Sequence, residues 1–253
     1  MTPRICLAVP AAVVQWMRLA CLGTVLALAA GCASLPEGHQ SDPRDPFERY
    51  NRAMFDFNTE VDEAILKPVA QGYRNHVPDL ILKGVGNFFG NLSDMVTTIH
   101  HLLQGEGTKA GQTAGRVLVN TTIGILGLAD PASGDMGLPK TKEDFGQTFG
   151  RWGAEPGAYI VLPLLGPSTA RDTVGTVADF ATDPFDQIFS VDTPTEWTVR
   201  GTRVIDTRAG LLGVESTLDA LSFDRYLSVR DAYLARRAQQ VSNGETAPSK
   251  ASP

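Results

Sequence analysis

Asp45-Pro46-Phe47-Glu48-Arg49-Tyr50-Asn51-Arg52-Ala53-Met54-Phe55-Asp56-Phe57-Asn58 is the stretch that decides the fold class, because it carries both a helix start and an apolar stripe. Asp45 is predicted to cap the helix, with Pro46 at its first position and Glu48 reaching back to the cap. Apolar side chains then recur at spacings of three and four residues, which is typical of one face of a helix. They are Phe47, Tyr50, Met54, Phe57, Val61 and Ile65. Lys67-Pro68 is predicted to end this helix.

The chain keeps this helical character over residues 45–240, which predicts a single, mainly α domain. A capping box at Thr141–Asp144 precedes Phe145, and Ala158–Leu162 is the best strand candidate, limited by Pro163. The sequence shows no internal repeat and no alternation of strands with helices. The other predicted helices cover residues 78–105, 108–123, 168–181, 194–205, 208–221 and 224–239.

The N-terminal region has the pattern of a lipoprotein signal peptide. Arg18 is followed by the uncharged stretch Leu19–Ala30, and the run Leu28-Ala29-Ala30-Gly31 leads directly to Cys32. A basic start, a short apolar segment and small residues before the cut are typical of a secretory signal, and a cysteine at the cut is the site of lipidation. We therefore predict a signal peptide over residues 1–31, with Met17 as a candidate for the true start. The alternative is an ordinary signal peptide that ends near a buried cysteine.

Cleavage before Cys32 changes what the composition allows. Cys6 and Cys21 leave with the signal, so Cys32 is the last of the 3 cysteines, and neither an internal disulfide nor a cysteine zinc site can form. Arg4 and Arg18 leave too, so the 22 basic residues fall to 20 against 28 acidic residues, a net charge of about −8. This charge argues against nucleic acid and against electrostatic binding to anionic head groups. Residues 32–44 are predicted to form a lipidated tether, and residues 241–253 a disordered tail.

Two uncharged windows, Val117–Ala129 and Pro156–Ala170, are candidates for membrane contact. Both are shorter than the roughly 20 residues that a spanning helix needs. A helix of 13 residues would still reach about 20 Å, which is more than one leaflet of a hydrocarbon core about 30 Å thick. Gly124 and Gly127 favour a hairpin or re-entrant shape in the first window. The alternative is that both windows are ordinary core segments.

Catalytic motifs are scarce, and we predict neither an enzyme activity nor a metal or cofactor. Gly166-Pro167-Ser168-Thr169-Ala170 departs from a nucleophile elbow at its proline and its final alanine. His100 and His101 are adjacent, so on a helix they point about 100° apart and would not share a metal. An envelope lipid hydrolase that uses Ser168 or His100 stays open as an alternative.

Several blocks of residues carry a resemblance to a known family. The first block is the 45–58 stretch quoted above, and the second is Asn120-Thr121-Thr122-Ile123-Gly124, which leads to Asp130. The third block runs from Phe145-Gly146-Gln147-Thr148-Phe149-Gly150 through Trp152-Gly153, Gly157, Tyr159, Leu162-Pro163 and Gly166-Pro167-Ser168 to Arg171-Asp172. In this order, behind a lipidation motif, the blocks resemble the MlaA (VacJ) family of outer-membrane lipoproteins over roughly residues 45–233.

This resemblance implies an all-helical, ring-shaped protein in the inner leaflet of the outer membrane, with an amphipathic central channel. It implies three partners: phospholipid, a trimeric outer-membrane porin and a soluble periplasmic lipid carrier similar to MlaC. The implied function is removal of misplaced phospholipid from the outer leaflet, which maintains the lipid asymmetry of the outer membrane without covalent chemistry. The alternative is a porin-associated structural lipoprotein without a transport channel.

The same resemblance suggests which residues contact lipid or close the passage. We expect the hairpin or channel wall to be formed by Ile123, Ile125, Leu126 and Leu128, and to be continued by Val117 and Leu118. We expect the channel to be held closed by Phe55, Asp56 and Phe57 from the first block.

Overall fold

The computed structural model describes residues 42–134, 136–189, 191–221 and 224–242. The signal peptide, Cys32, most of the predicted tether and the tail after residue 242 lie outside the described residues. Within them, no helix is both long enough and apolar enough to cross a membrane.

The described chain is mainly helical, with one small sheet, which confirms the predicted fold class. A π-helical segment, Asp62–Leu66, joins α1 to α2. The helices are α1 (Glu48–Val61), α2 (Lys67–His76), α3 (Asp79–Leu103), α4 (Gly107–Thr122), α5 (Pro131–Gly134), α6 (Phe145–Arg151), α7 (Ala170–Ala181), α8 (Pro184–Ile188), α9 (Thr193–Leu221) and α10 (Arg225–Val241). The strands are β1 (Tyr159–Leu162) and β2 (Gly166–Thr169).

Helix α1 differs from its prediction at both ends. Phe47 occupies the N-cap position without a side-chain cap hydrogen bond, because the Asp45 carboxylate is buried elsewhere, where it accepts hydrogen bonds from Asn51 and Tyr226. Pro68 does not end the helical path. Because proline has no N–H to donate, the turn before it widens into the π-helical segment and the chain continues as α2.

Other boundaries of the prediction also change. Asp144, rather than Thr141, caps α6 by accepting from the Gln147 N–H. Helix α7 begins at Ala170 because residues 166–169 form β2, a strand that the sequence did not predict. The two helices predicted over 194–205 and 208–221 are one helix, α9.

The sheet is a β-hairpin whose strands pair antiparallel, from Tyr159 opposite Thr169 to Leu162 opposite Gly166. Tyr159 and Val161 point from β1 into the apolar core, where they pack against Met54 of α1 and Tyr226 of α10. The second uncharged window is therefore half core and half turn. The strand candidate Ala158–Leu162 is confirmed as β1 within one residue, and contact of this window with a membrane stays a prediction.

Helices α3 and α4 form the most extensive helix pair in the described part of the chain. Gly105 makes the turn between them with a φ of 77°, a left-handed conformation that favours glycine. This pair carries the first uncharged window at its far end, where α4 stops at Thr122.

Candidate functional site

The first uncharged window ends in a short turn that presents aliphatic side chains to the outside. We call residues 123–129 the apolar loop. Its four large side chains are all exposed: Ile123 is 64% exposed, Ile125 69%, Leu126 70% and Leu128 50%. Leu118, on the last turns of α4, is also exposed, whereas Val117 is half-buried. The loop is therefore an apolar projection that the other described residues do not cover.

The backbone of the apolar loop is strained. Ile125 and Leu126 have φ values of 54° and 57°, in the left-handed region that branched residues rarely occupy. Left-handed backbone at a residue with a Cβ costs about 1–2 kcal/mol. The loop closes on itself through hydrogen bonds from Leu126 N to Thr121 O and from Ala129 N to Gly124 O. Strain of this kind persists only when the surroundings hold it in place.

Helix α3 supplies part of that hold through two asparagines one turn apart. Asn87 Nδ2 donates to Leu128 O at 3.0 Å, and Asn91 Nδ2 donates to Thr121 Oγ1 at 3.0 Å. Gly127 lies directly on Asn91, so a Cβ at this position would come within 2.8 Å of the asparagine side chain. The close approach and a φ of 87° both require glycine at Gly127.

A fully buried arginine holds the chain on the C-terminal side of the loop. Arg116 Nε donates to Asp94 Oδ2 at 3.0 Å, and Nη2 donates to the Asp130 carboxylate at 3.0 and 3.2 Å. Its Nη1 donates to Ser133 Oγ at 2.6 Å and to Leu138 O at 2.9 Å. We call these contacts the Arg116 network. It joins α3, α4 and the segment that leaves the loop.

Asn120 hydrogen-bonds to residues within and just after the apolar loop and so holds its two ends together. Its Nδ2 donates to Asp130 Oδ1 at 2.8 Å, while its Oδ1 accepts from Ala132 N and its main-chain oxygen accepts from Gly127 N. Asp130 thus receives donors from Asn120, Arg116 and Ser133, and these hydrogen bonds outweigh burial and hold its pKa well below the usual range. Asp130 is a stable anion at the base of the apolar loop.

Asp94 has the opposite electrostatic balance. Burial raises its pKa, against the lowering effect of Arg116 and Lys140. Its Oδ1 is buried and has no hydrogen-bond partner among the described residues. The two carboxylates that share Arg116 are therefore unequal, and Asp130 is the better satisfied of the two.

The predicted gating residues lie on α1, where they do not share one environment. The Phe55 ring is partly buried against the core and meets the Tyr226 ring edge-on at 5.8 Å. Asp56 and Phe57 are exposed. Partial desolvation of its carboxylate and the nearby carboxylates of Glu60 and Asp224 raise the pKa of Asp56, against the lowering effect of Arg52. Their role in closing a channel stays a prediction.

The histidines and Ser168 belong to two different polar sites. The His100 ring contacts Thr148 Oγ1 at 2.9 Å through Nδ1, and the His101 ring lies between Glu106 and Thr141. The Ser168 hydroxyl instead contacts Thr169 O and Thr173 Oγ1. Within the described ranges, no group of three metal-ligating side chains has the geometry to hold a metal ion.

The sequence identified the apolar side chains of the loop but not the polar residues that fix it. Asn87, Asn91 and Arg116 do not stand out in the sequence, and Asn120 and Asp130 belong to the second family block without an assigned role. One signal was available. Arg116 borders the uncharged window, and an arginine next to apolar sequence needs a partner if it is buried.

Fold and site together define a mainly helical protein that buries the Arg116 network and exposes the aliphatic side chains of a strained loop above it. The sequence profile of the MlaA lipoprotein family matches residues 43–240. The chain therefore belongs to the MlaA lipoprotein family, as its sequence blocks indicated.

Similar proteins include the intermembrane phospholipid transport system lipoproteins MlaA of Shigella flexneri and of Escherichia coli K12. Each is 35% identical to this chain over 237 residues, with 92% of both sequences covered. The protein of the same name from Haemophilus influenzae is 35% identical over 226 residues, covering 88% of this chain and 89% of its own.

A solved structure supports the same fold. It comes from work on the structural basis for maintenance of bacterial outer membrane lipid asymmetry, and it superposes with a TM-score of 0.67 at 34% sequence identity. The match covers 78% of this chain and 98% of the solved one.

Proposed function

We propose that this protein is an outer-membrane lipoprotein that removes phospholipid from the outer leaflet and passes it to a periplasmic carrier. In this proposal the protein is anchored through Cys32 on the periplasmic side of the outer membrane. Its partners are phospholipid, a trimeric porin and a soluble carrier similar to MlaC. Support comes from family membership and from relatives that are named for phospholipid transport between membranes.

The observation that carries the proposal is the apolar loop, which Asn87, Asn91 and the Arg116 network hold in place. Four exposed aliphatic side chains would be a liability in water, whereas the same side chains are favourable next to acyl chains. A phospholipid that crosses hydrocarbon also needs a path for its head group, because burial of an unpaired charge is costly. A protein that sits in one leaflet can provide such a path, with the apolar loop and the Val117–Leu118 wall in contact with lipid.

The proposal requires no covalent step. Phospholipid would enter and leave unchanged, and Phe55, Asp56 and Phe57 would close the channel between passages. The separate contacts of Ser168 and His100 disfavour the hydrolase alternative, because a serine nucleophile needs its base within hydrogen-bond reach.

A charge placed in the apolar loop tests this function. In cells that lack the native gene, we expect Leu126→Asp to fail in restoring low surface phospholipid, because a carboxylate at the loop would have to leave water. Helix content by circular dichroism should be unchanged, because Leu126 is exposed and outside the helices.

Gln112→Glu is the matched control, since it adds the same charge at an exposed site of α4 away from the loop. Full rescue by Gln112→Glu and none by Leu126→Asp would support lipid contact at the loop. Equal rescue by both variants would contradict it. Rescue by Leu126→Asp, together with purified protein free of bound lipid, would favour the porin-associated scaffold.

A further inference from the structure

A second exposed apolar turn shares the unusual features of the apolar loop. Pro163, Leu164 and Leu165 join β1 to β2, and we call these three residues the hairpin tip. Leu164 is 65% exposed and Leu165 is 56% exposed. Turns of this length normally carry polar residues and a glycine or asparagine wherever φ is positive. Here Leu164 has a φ of 62°, and the other non-glycine residues of the described chain with positive φ are Ile125 and Leu126 of the apolar loop.

The strain at Leu164 is held by a side chain from another element. Asn58 of α1 accepts from Leu164 N at 2.7 Å through Oδ1 and donates to Leu162 O at 2.9 Å through Nδ2. Seven residues earlier on the same helix, Asn51 accepts from Val161 N at 2.8 Å and donates to Tyr159 O at 3.0 Å. The two asparagines satisfy the free edge of β1, which would otherwise expose unpaired main-chain groups. Only Asn58 reaches the tip.

The hairpin is also close to the point where the chain arrives from the predicted anchor. Tyr159 N donates to Arg44 O at 2.8 Å, so the chain entering from residue 42 runs beside the base of β1. Nine residues lie between Cys32 and Asp42, and the ten Cα-to-Cα steps across them can span at most about 35 Å. A lipid on Cys32 therefore keeps the hairpin near the surface of the membrane that holds the anchor.

We propose that the hairpin tip inserts into the acyl-chain region of the anchoring leaflet, and that Asn58 is the positioning residue that keeps Leu164 and Leu165 presented. The inference rests on the proposed function, because it assumes the anchored, membrane-seated protein. The stretch Pro156–Ala170 carries no charged side chain of its own that would have to be desolvated. Insertion into the leaflet gives the exposed leucines an apolar environment and gives the strained backbone at Leu164 a function. The short segment from Cys32 keeps the hairpin within reach of that leaflet.

Site-specific labelling of the full-length, lipidated protein tests this insertion. An environment-sensitive NBD label is placed on Leu165→Cys, and the protein is reconstituted into vesicles of phosphatidylethanolamine and phosphatidylglycerol with brominated acyl chains. We expect a blue-shifted emission and loss of fluorescence through bromine quenching. A label on Glu155→Cys, an exposed position before the hairpin, should be quenched only by aqueous iodide.

A label on Leu126→Cys separates this inference from the proposed function. Quenching by bromine at 126 but by iodide alone at 165 would overturn hairpin insertion and leave the proposed function intact. Iodide quenching alone at both positions would overturn both. Bromine quenching at 165 and not at 155 would support insertion.

Two further variants test the positioning role. Asn58→Ala should reduce bromine quenching at 165, whereas Asn51→Ala should leave it unchanged, because Asn51 holds the other end of β1. Leu164→Asn replaces the apolar side chain with a polar one, and asparagine tolerates the positive φ at this position. It should therefore preserve the melting temperature while lowering the quenching at 165. Unchanged quenching in both Asn58→Ala and Leu164→Asn would overturn the positioning role.

Discussion

Arg116 illustrates how a single residue organises the candidate site. Its guanidinium is fully buried, yet each of its nitrogens has an acceptor, on Asp94, Asp130, Ser133 or Leu138. Desolvation of an arginine is tolerated only when partners of this quality replace water. The Arg116 network therefore fixes the segments on both sides of the apolar loop relative to α3.

Removal of the Arg116 side chain should be costly. We expect Arg116→Ala to lower the free energy of unfolding by about 3–5 kcal/mol, because it leaves buried carboxylates without their cation. Urea unfolding of the detergent-solubilised protein measures the loss. Arg49→Ala, at an exposed arginine, should change stability by no more than about 0.5 kcal/mol. Equal effects of the two substitutions would contradict the role of the network.

Asp179 gives the protein a pH dependence of defined sign. Burial raises its pKa to about 6 from 3.8. The folded state therefore binds more protons than the unfolded state between these values, and stability falls as pH rises through that window. The charged groups around it are Asp144, Lys142 and Arg237, and His100 Nε2 lies 3.8 Å from its Oδ1.

Replacement of Asp179 by asparagine tests this sign. The amide oxygen can still accept from Phe145 N, as the carboxylate does at 3.1 Å. We expect Asp179→Asn to be more stable than the native protein by about 1–2 kcal/mol above pH 7, after allowance for partial exposure, with no advantage near pH 4. Chemical unfolding at both pH values measures the difference. An advantage that is independent of pH would contradict the assignment.

At the scale of elements, the apolar loop depends on one close contact with α3. We expect Gly127→Ala to destabilise the protein by about 1–2 kcal/mol or more, because φ is positive and the new Cβ would displace Asn91. Gly111→Ala is the control. It lies in α4 with nothing near its added Cβ, so it should stabilise by about 0.5–1 kcal/mol. Thermal melts compare the two, and a stable Gly127→Ala protein would show that the loop is not clamped there.

The elements also show what sequence periodicity can and cannot predict. The helical conformation of α1 and the boundaries of α3, α4 and α10 follow from apolar spacing and helix-end signals, and these predictions are confirmed within a few residues. The apolar stripe of α1 is not its buried face, because Phe47, Phe57 and Ile65 are exposed and the helix buries Glu48, Asn51 and Met54. Asp45 failed as a cap because its carboxylate is more stable in a buried cluster with Asn51 and Tyr226, residues that only the tertiary fold brings to it. The sequence did not predict strand β2, because pairing with β1, rather than local preference, decides its conformation.

For the apolar loop and the hairpin tip, the sequence predicted the apolar residues but not the asparagines that hold the two turns. Exposed aliphatics in an uncharged window indicated the apolar loop, because apolar run length and glycine position are local properties. The polar clamp was hidden, because Asn91 meets Thr121 and Asn58 meets Leu164 across large separations in sequence. Asparagines one turn or two turns apart on a helix face are a weak signal that gains meaning only when the opposite backbone is known.

At the scale of the whole molecule, the last helix ties distant parts of the chain together through buried charges. Arg237 of α10 donates to the Asp144 carboxylate at 2.7 and 2.5 Å and to Asp172 at 3.3 Å. These bonds join the N-cap of α6 and the first turn of α7 to the C-terminal region. Arg230, on the same helix, contacts Asp45 at 3.3 Å, next to the chain that leads from the predicted anchor. Helix α10 thus connects the N-terminal end of the described chain to helices α6 and α7.

Loss of that tie should loosen α10 before the rest of the protein. We expect Arg237→Ala to lower the free energy of unfolding by about 3 kcal/mol, because Asp172 and Asp144 lose their shared cation. Hydrogen exchange should accelerate across residues 225–241. The neighbouring exposed Arg236→Ala should leave both properties unchanged. Uniform acceleration over the whole chain in Arg237→Ala would contradict a local tie.

The central claim is that a lipid-anchored protein of this fold removes phospholipid from the outer leaflet of the outer membrane. The most direct measurement is the amount of phospholipid exposed at the cell surface after deletion of the gene, with complementation by the native chain and by Cys32→Ala. The account predicts raised surface phospholipid in the deletion strain, restored by the native chain and not by Cys32→Ala. An unchanged outer leaflet in the deletion strain would contradict the account.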